Sequence, residues 1–217
     1  ALTFILQQGD ILVLGAFLSK EQLGMFAIAV IWSRMLLQLL LKLNDQVMMP
    51  LYAQAYREDK TTIKKKIKKA RIYLLVATLP FACLMVIGGQ FVIDLLYDPR
   101  YHSAGWMLQV LSIGTIGSVI TATAGTALLS FGDSFGFMLV QVARAVLLVI
   151  CMLIGGYYYG VLGLIAGASA SKILSYPFLA GVLHRHKVWL PSVDVVAFIA
   201  CVCLVGVGLT ATNGIDF

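Results

Sequence analysis

The sequence predicts an all-α integral membrane protein with about seven transmembrane helices, each some 20 residues long. Hydrophobic residues make up 60% of the chain and charged residues 12%, where a soluble domain has about 25% charged. The mean hydropathy is +0.93. The apolar runs recur in lengths that cross about 30 Å of hydrocarbon at 1.5 Å per residue, and no stretch between them is long enough for a soluble domain. The 217 residues are therefore expected to form one membrane-embedded unit.

The first run covers residues 2–18 and is only marginally long enough to span. No signal peptide precedes it, and the abrupt start inside an apolar run implies that residue 1 is not a natural N-terminus. The second run covers 22–56, bent or ended near Pro50, because proline removes a ladder hydrogen bond and clashes with the preceding turn. Five more follow at 67–93, 103–130, 135–156, 160–183 and 193–212. They are joined by short turns such as Ser19-Lys20-Glu21, Asp98-Pro99-Arg100, Gly132-Asp133-Ser134 and Trp189-Leu190-Pro191. The seventh helix carries no charge expected to be buried, so it is predicted to face lipid.

The net charge of +6 is concentrated in one place. The connection between the second and third helices holds Arg57, Lys60, Lys64, Lys65, Lys66, Lys68, Lys69 and Arg71, and that between the sixth and seventh holds Arg185 and Lys187. The opposite side has only Lys20 and Arg100. The basic loops, 57–71 and 184–191, are therefore predicted to be cytoplasmic, with the C-terminus outside. This distribution points to topology and lipid contact and away from nucleic acid. Ile63, Ile67, Ala70 and Leu74 recur at helical spacing among the lysines. The segment is thus an orientation signal with a solvated face, an interfacial helix on anionic lipid headgroups, or both.

Charges inside apolar spans are costly in lipid and point at a protein interior or a water-filled cavity. In the second helix Arg34, Gln38, Lys42 and Asp45 fall within an arc of about 80° at 100° per residue. Lys42 and Asp45 lie near the cytoplasmic end, where Lys42 can snorkel. Four charges lie deeper: Arg34, Arg144, Lys172 and Asp10, at about 18, 14, 18 and 12 Å along their helices. Polar neighbours accompany them at helical spacing: Thr3 and Gln7 with Asp10, Gln141 with Arg144, Ser169 and Ser175 with Lys172. Internal ion pairing, for example Asp10 with Arg34, is one reading. One acid does not neutralise three cations, however, and a cationic cavity suits an anionic substrate. Guanidinium groups suit phosphate because they present a planar fork of donors. Arg34, Arg144, Lys172, Gln38 and Gln141 are the candidate substrate-binding residues. Asp10 and Asp45 are candidates for coupling to H⁺ or Na⁺, since a carboxylate in a low-dielectric site exchanges protons more readily.

Small residues recur every four positions as Gly163, Gly167, Ser171 and Ser175, and again as Gly117, Thr121 and Gly125. They read as packing seams between helices. Tyr157, Tyr158 and Tyr159 read as interface anchors of an aromatic belt, with a sugar platform as the alternative. Cys83, Cys151, Cys201 and Cys203 all sit in apolar runs and read as packing residues, so no metal or cofactor is expected. His102, His184 and His186 lie in short loops without a carboxylate pair, which argues against acid–base catalysis.

The run Gly9-Asp10 through Leu14-Gly15, Leu18-Ser19 and Leu23-Gly24-Met25-Phe26-Ala27 resembles the start of the second half of polysaccharide flippases. These are the Wzx-type exporters of the multidrug/oligosaccharidyl-lipid/polysaccharide (MATE-like) superfamily. Pro50 ahead of the basic loop, Leu95-Leu96-Tyr97 with Tyr101 and Ala104, and Tyr159-Gly160-Val161-Leu162-Gly163 add to the resemblance; Phe26 stands where the family would place Tyr. The resemblance implies the C-terminal bundle of a fold of 12–14 helices, with residues 1–192 as the second six-helix bundle and 193–217 as an additional transmembrane helix. It implies an N-terminal bundle in the same or another chain, and a multi-pass place in the bacterial cytoplasmic membrane. It further implies translocation of a polyprenyl-diphosphate-linked oligosaccharide by alternating access, in the synthesis of surface polysaccharides such as O-antigen or exopolysaccharide. The rival within the superfamily is a drug or cation antiporter, which would favour surplus carboxylates. A membrane enzyme or a structural subunit of polysaccharide synthesis is a more distant alternative.

Overall fold

The computed structural model of the protein describes residues 9, 11, 14, 15, 18–55, 60–130, 133–185, 193–200, 202 and 203, and no strand occurs among them. The elements are α1 (Lys20–Ala55), α2 (Lys60–Leu96), a single 3₁₀ turn (Pro99–Tyr101), α3 (Ser103–Ser130), α4 (Ser134–Leu174) and α5 (Tyr176–Arg185). Residues 193–200 are helical again. Four segments are long and apolar enough to cross a membrane: Lys20–Leu43, Lys68–Leu96, Ser103–Thr123 and Phe135–Arg185. Among the described residues the chain is all-helical and has the make-up of a membrane protein.

Local chemistry explains the boundaries. α1 begins two residues earlier than the apolar run implies because Ser19 and Gln22 form a capping box: the Gln22 amide donates to Ser19 Oγ and the Ser19 amide to Gln22 Oε1, both at 3.3 Å. Two orphan donors of the first turn are thereby satisfied. α1 does not end at Pro50 but runs on to Ala55. α2 begins at Lys60, so the basic stretch 60–71 is continuous with the membrane helix instead of forming a loop or a separate interfacial helix. The turn after α2 is set by Asp98, whose carboxylate accepts the Arg100 amide at 3.1 Å ahead of Pro99.

α4 is a hairpin. Gly160 has φ 60° and ψ −136°, a conformation glycine adopts without a steric cost. Residues eight apart in a continuous helix would be about 12 Å apart. Here the backbones of Gly155 and Gly163 touch so closely that a Cβ on either would collide with the other's carbonyl, and Gly167 meets Cys151 in the same way. The small residues Gly163 and Gly167 are thus a packing seam between the arms 134–159 and 161–174. The second arm breaks at Ser175, where the expected run 160–183 was continuous. Pro177 follows directly, and it lacks the N–H that would continue the ladder.

α3 is the axis of the molecule. An 18-residue apolar stretch of it is 78% buried, against 17% for the corresponding stretch of Phe135–Arg185, and it packs against α1, α2, α4 and α5. One apolar cluster joins Phe26 and Val30 of α1 to Leu108, Met152 and Ile165. A second joins Leu79 and Val86 of α2 to Val119 and Ile120, and includes Val193 and Ala197. The C-terminal helical residues therefore do not simply face lipid. Val193, Asp194 and Ala197 are buried while Val195, Val196 and Ile199 are exposed. The expectation of no buried charge there is overturned by Asp194, which is fully buried.

Candidate functional site

A cleft opens between α3, the first arm of α4 and the Ser175 break. Its polar lining is Thr121, Gln141, Arg144 and Ser175, its apolar lining Phe137, Val140 and Leu179. Phe137, Val140, Gln141 and Arg144 share it because spacings of three and four place them on one face of the helix. Arg144 Nη1 donates to Gln141 Oε1 at 3.3 Å. The Thr121 hydroxyl donates to the Ser118 carbonyl at 3.0 Å and the Ser175 hydroxyl to the Lys172 carbonyl at 2.7 Å. With those protons committed, the donors left to face the cleft are the guanidinium and the Gln141 amide. None of the lining residues is acidic. The donors of this lining are complementary to negative charge.

The other candidates lie elsewhere on the helices. Ser33, the neighbour of Arg34, and Lys172 approach one step of α3 from two sides. Next to Arg34, Ser33 is buried with its hydroxyl 2.7 Å from that of Thr115. Thr115 spends its own proton on the Leu111 carbonyl, so Ser33 is the donor. On the other side, Gly114 has room only for hydrogen, because a Cβ would run into Ser169 and approach the Lys172 stem at 3.1 Å. Ser169 also donates to the Val110 carbonyl at 2.8 Å, which fixes the second arm of α4 against α3. Thr121 lies seven residues beyond Gly114, about 10 Å along α3, so the Arg144 cleft sits at a different level from Arg34 and Lys172. Gln38 is exposed on α1 beside exposed Met35 and Leu39. Asp45 belongs to α1 with its side chain outside the described residues, and Asp10 lies outside them altogether.

Two polar clusters were not foreseen. Arg71, expected in a basic loop, is 2% exposed and donates through Nη2 to Asp194 Oδ1 at 2.5 Å. Tyr176 donates to Asp194 Oδ2 at 2.7 Å. Asp194 stands where a first-turn acid is ordinarily a solvated helix-start residue, and Arg71 closes a run of lysines; neither position carries a sign of burial. The second cluster joins α2 to the turn before α3. His102 Nδ1 lies 2.9 Å from Asp94 Oδ1, and Gln90 Nε2 donates to the His102 carbonyl at 3.0 Å. Gly105 leaves the room that Gln90 occupies. In the turn itself, hydrogen bonds from the Arg100 side chain and amide hold the Asp98 carboxyl below its usual value. No group of three metal-ligating side chains occurs among the described residues.

Residues 1–105 match the sequence profile of a family described as "Polysaccharide biosynthesis protein". The Tyr159–Gly163 motif, the Arg144 cleft and Lys172 lie beyond the matched part. No curated protein and no solved structure gives a significant match.

Proposed function

We propose, from the match of residues 1–105 to the profile of the polysaccharide biosynthesis proteins, that the chain is a flippase-type transporter for a lipid-linked oligosaccharide. It is read as a transporter and not an enzyme. The cargo is a polyprenyl-diphosphate carrier bearing a sugar chain, moved from the cytoplasmic to the outer leaflet of a bacterial cytoplasmic membrane by alternating access. The observation that carries this is Arg144 in a cleft whose lining contains no carboxylate. A half-buried guanidinium on an apolar span is costly, and a diphosphate is the anion its forked donors match. Arg34 and Lys172 supply further cations at a second level, fitting a substrate that moves from one level to the next. Asp10 and Asp45 are the proposed coupling acids.

The architecture proposed is the second bundle of a two-bundle, MATE-like fold. The hairpin at Gly160 contributes two passes, and 193–217 an additional helix after the six of 1–192. The exposed side of α1, where Ile31, Met35 and Leu39 are each more than half exposed, is the face offered to an N-terminal bundle. The basic segment 57–71 faces anionic lipid on the cytoplasmic side. Arg34→Ala, Arg144→Ala and Lys172→Ala are each expected to reduce surface glycan while the protein still inserts, read by glycan blotting against membrane-fraction abundance. Normal glycan in all three variants removes the cationic-site reading. Uptake of an organic cation, abolished by Asp10→Asn, replaces it with the antiporter.

A further inference from the structure

The Ser175 break forms one wall of the Arg144 cleft; locally the Ser175 amide donates to the Ser171 carbonyl at 3.0 Å and the Leu179 amide to the Ser175 carbonyl at 3.4 Å. Pro177 interrupts the ladder, and α5 beyond it is only ten residues long. The next side chain, Tyr176, is tied instead to distant chain. Its hydroxyl donates to Asp194 at 2.7 Å, and its ring meets Phe198 edge-on at 5.4 Å between centroids. Asp194 is in turn held by Arg71 of α2, with both charges buried. Arg71 lies three residues inside the apolar span, about 4.5 Å from its edge, where an ion pair is less costly than at the midplane. α2 packs against α3 through the second apolar cluster, so the clamp ties the Ser175 wall to the body of the bundle.

We propose that Tyr176 and Asp194 are positioning residues for the Arg144 cleft: the Arg71–Asp194–Tyr176 clamp fixes the Ser175 wall from behind, so that the C-terminal helix sets the shape of the site. This rests on the transporter reading only for its consequence in export, not for the coupling itself. The test uses the purified full chain carrying Thr121→Cys, with alkylation by iodoacetamide resolved by peptide mass spectrometry. Thr121 is a buried lining residue on the opposite wall. Cys151, in the first arm of α4 and outside the cluster that Tyr176 and Val193 join, reports general loosening. Tyr176→Phe deletes one hydroxyl and is expected to speed labelling of the introduced thiol about fivefold, the factor a typical net hydrogen bond carries, with Cys151 and the thermal midpoint unchanged. The pair Arg71→Met/Asp194→Leu removes both charges without leaving either buried alone, and is expected to act alike. Equal labelling in parent and variants, or labelling of Cys151 rising in step with the introduced thiol, overturns the proposal. Since the readout needs no transport, normal export in Arg34→Ala, Arg144→Ala and Lys172→Ala alike removes the cationic-site reading and leaves the coupling standing or falling by itself.

Discussion

Asp98 shows how a single exposed side chain shapes the turn between α2 and α3. Its carboxylate caps the 3₁₀ turn and pairs with Arg100, with Nε at 3.2 Å, and both hydrogen bonds favour the charged form. A carboxyl held below its unfolded value contributes stability above that value, and loses it as pH falls through the lower folded one. The turn is therefore expected to loosen only below about pH 4. Hydrogen exchange at the Arg100 amide should quicken there, and Asp98→Asn should remove that pH dependence. Arg144, by contrast, is half-buried inside an apolar span, in a cleft whose lining has no carboxylate. The three tyrosines illustrate a limit of spacing arguments. Tyr157, Tyr158 and Tyr159 are all more than 70% exposed, and successive residues point 100° apart on a helix. They surround the end of the first arm instead of making one flat platform, which suits interface anchoring.

Among the elements, the α4 hairpin depends most directly on particular residues. Its arms approach at Gly155, Gly163 and Gly167, where backbone lies against backbone. Gly163→Val cannot be absorbed by a rotating side chain, since the obstacle is a carbonyl. It is expected to cost at least the ~1–3 kcal/mol of an overpacked core, measured as a lower thermal unfolding midpoint in detergent. Gly24 and Gly181 have nothing within reach of an added Cβ and serve as controls. The every-four pattern of small residues revealed the seam because close approach requires the same face to recur. The break at Ser175 was equally legible in Pro177, but an apolar run of 24 residues reads as one helix until packing is seen. The start of α2 at Lys60 was hidden for a related reason: lysines are good helix formers that hydropathy counts as loop.

For the whole molecule, the C-terminal helix is the element whose role changed most. It enters the second apolar cluster through Val193 and Ala197 and neutralises Arg71 through Asp194. Deleting the chain from residue 192 onward is expected to destabilise the remainder by about 3 kcal/mol, the low end for a buried charge left alone. Protease sensitivity and thermal unfolding of the truncated protein check this; unchanged values would return the helix to a lipid-facing role. Composition and periodicity by themselves determined that the chain is helical and membrane-like and where most of its helices lie. Those are properties of one helix and one solvent, and hydropathy with a period of 3.6 contains them. Only the tertiary structure decided that Arg144 shares a cleft with Gln141, Thr121 and Ser175, that Arg34 and Lys172 belong to another level, and that Arg71 and Asp194 form a buried pair. Those facts depend on which faces meet across 123 residues of sequence, and an isolated acid or base reads as solvated until its partner is placed against it.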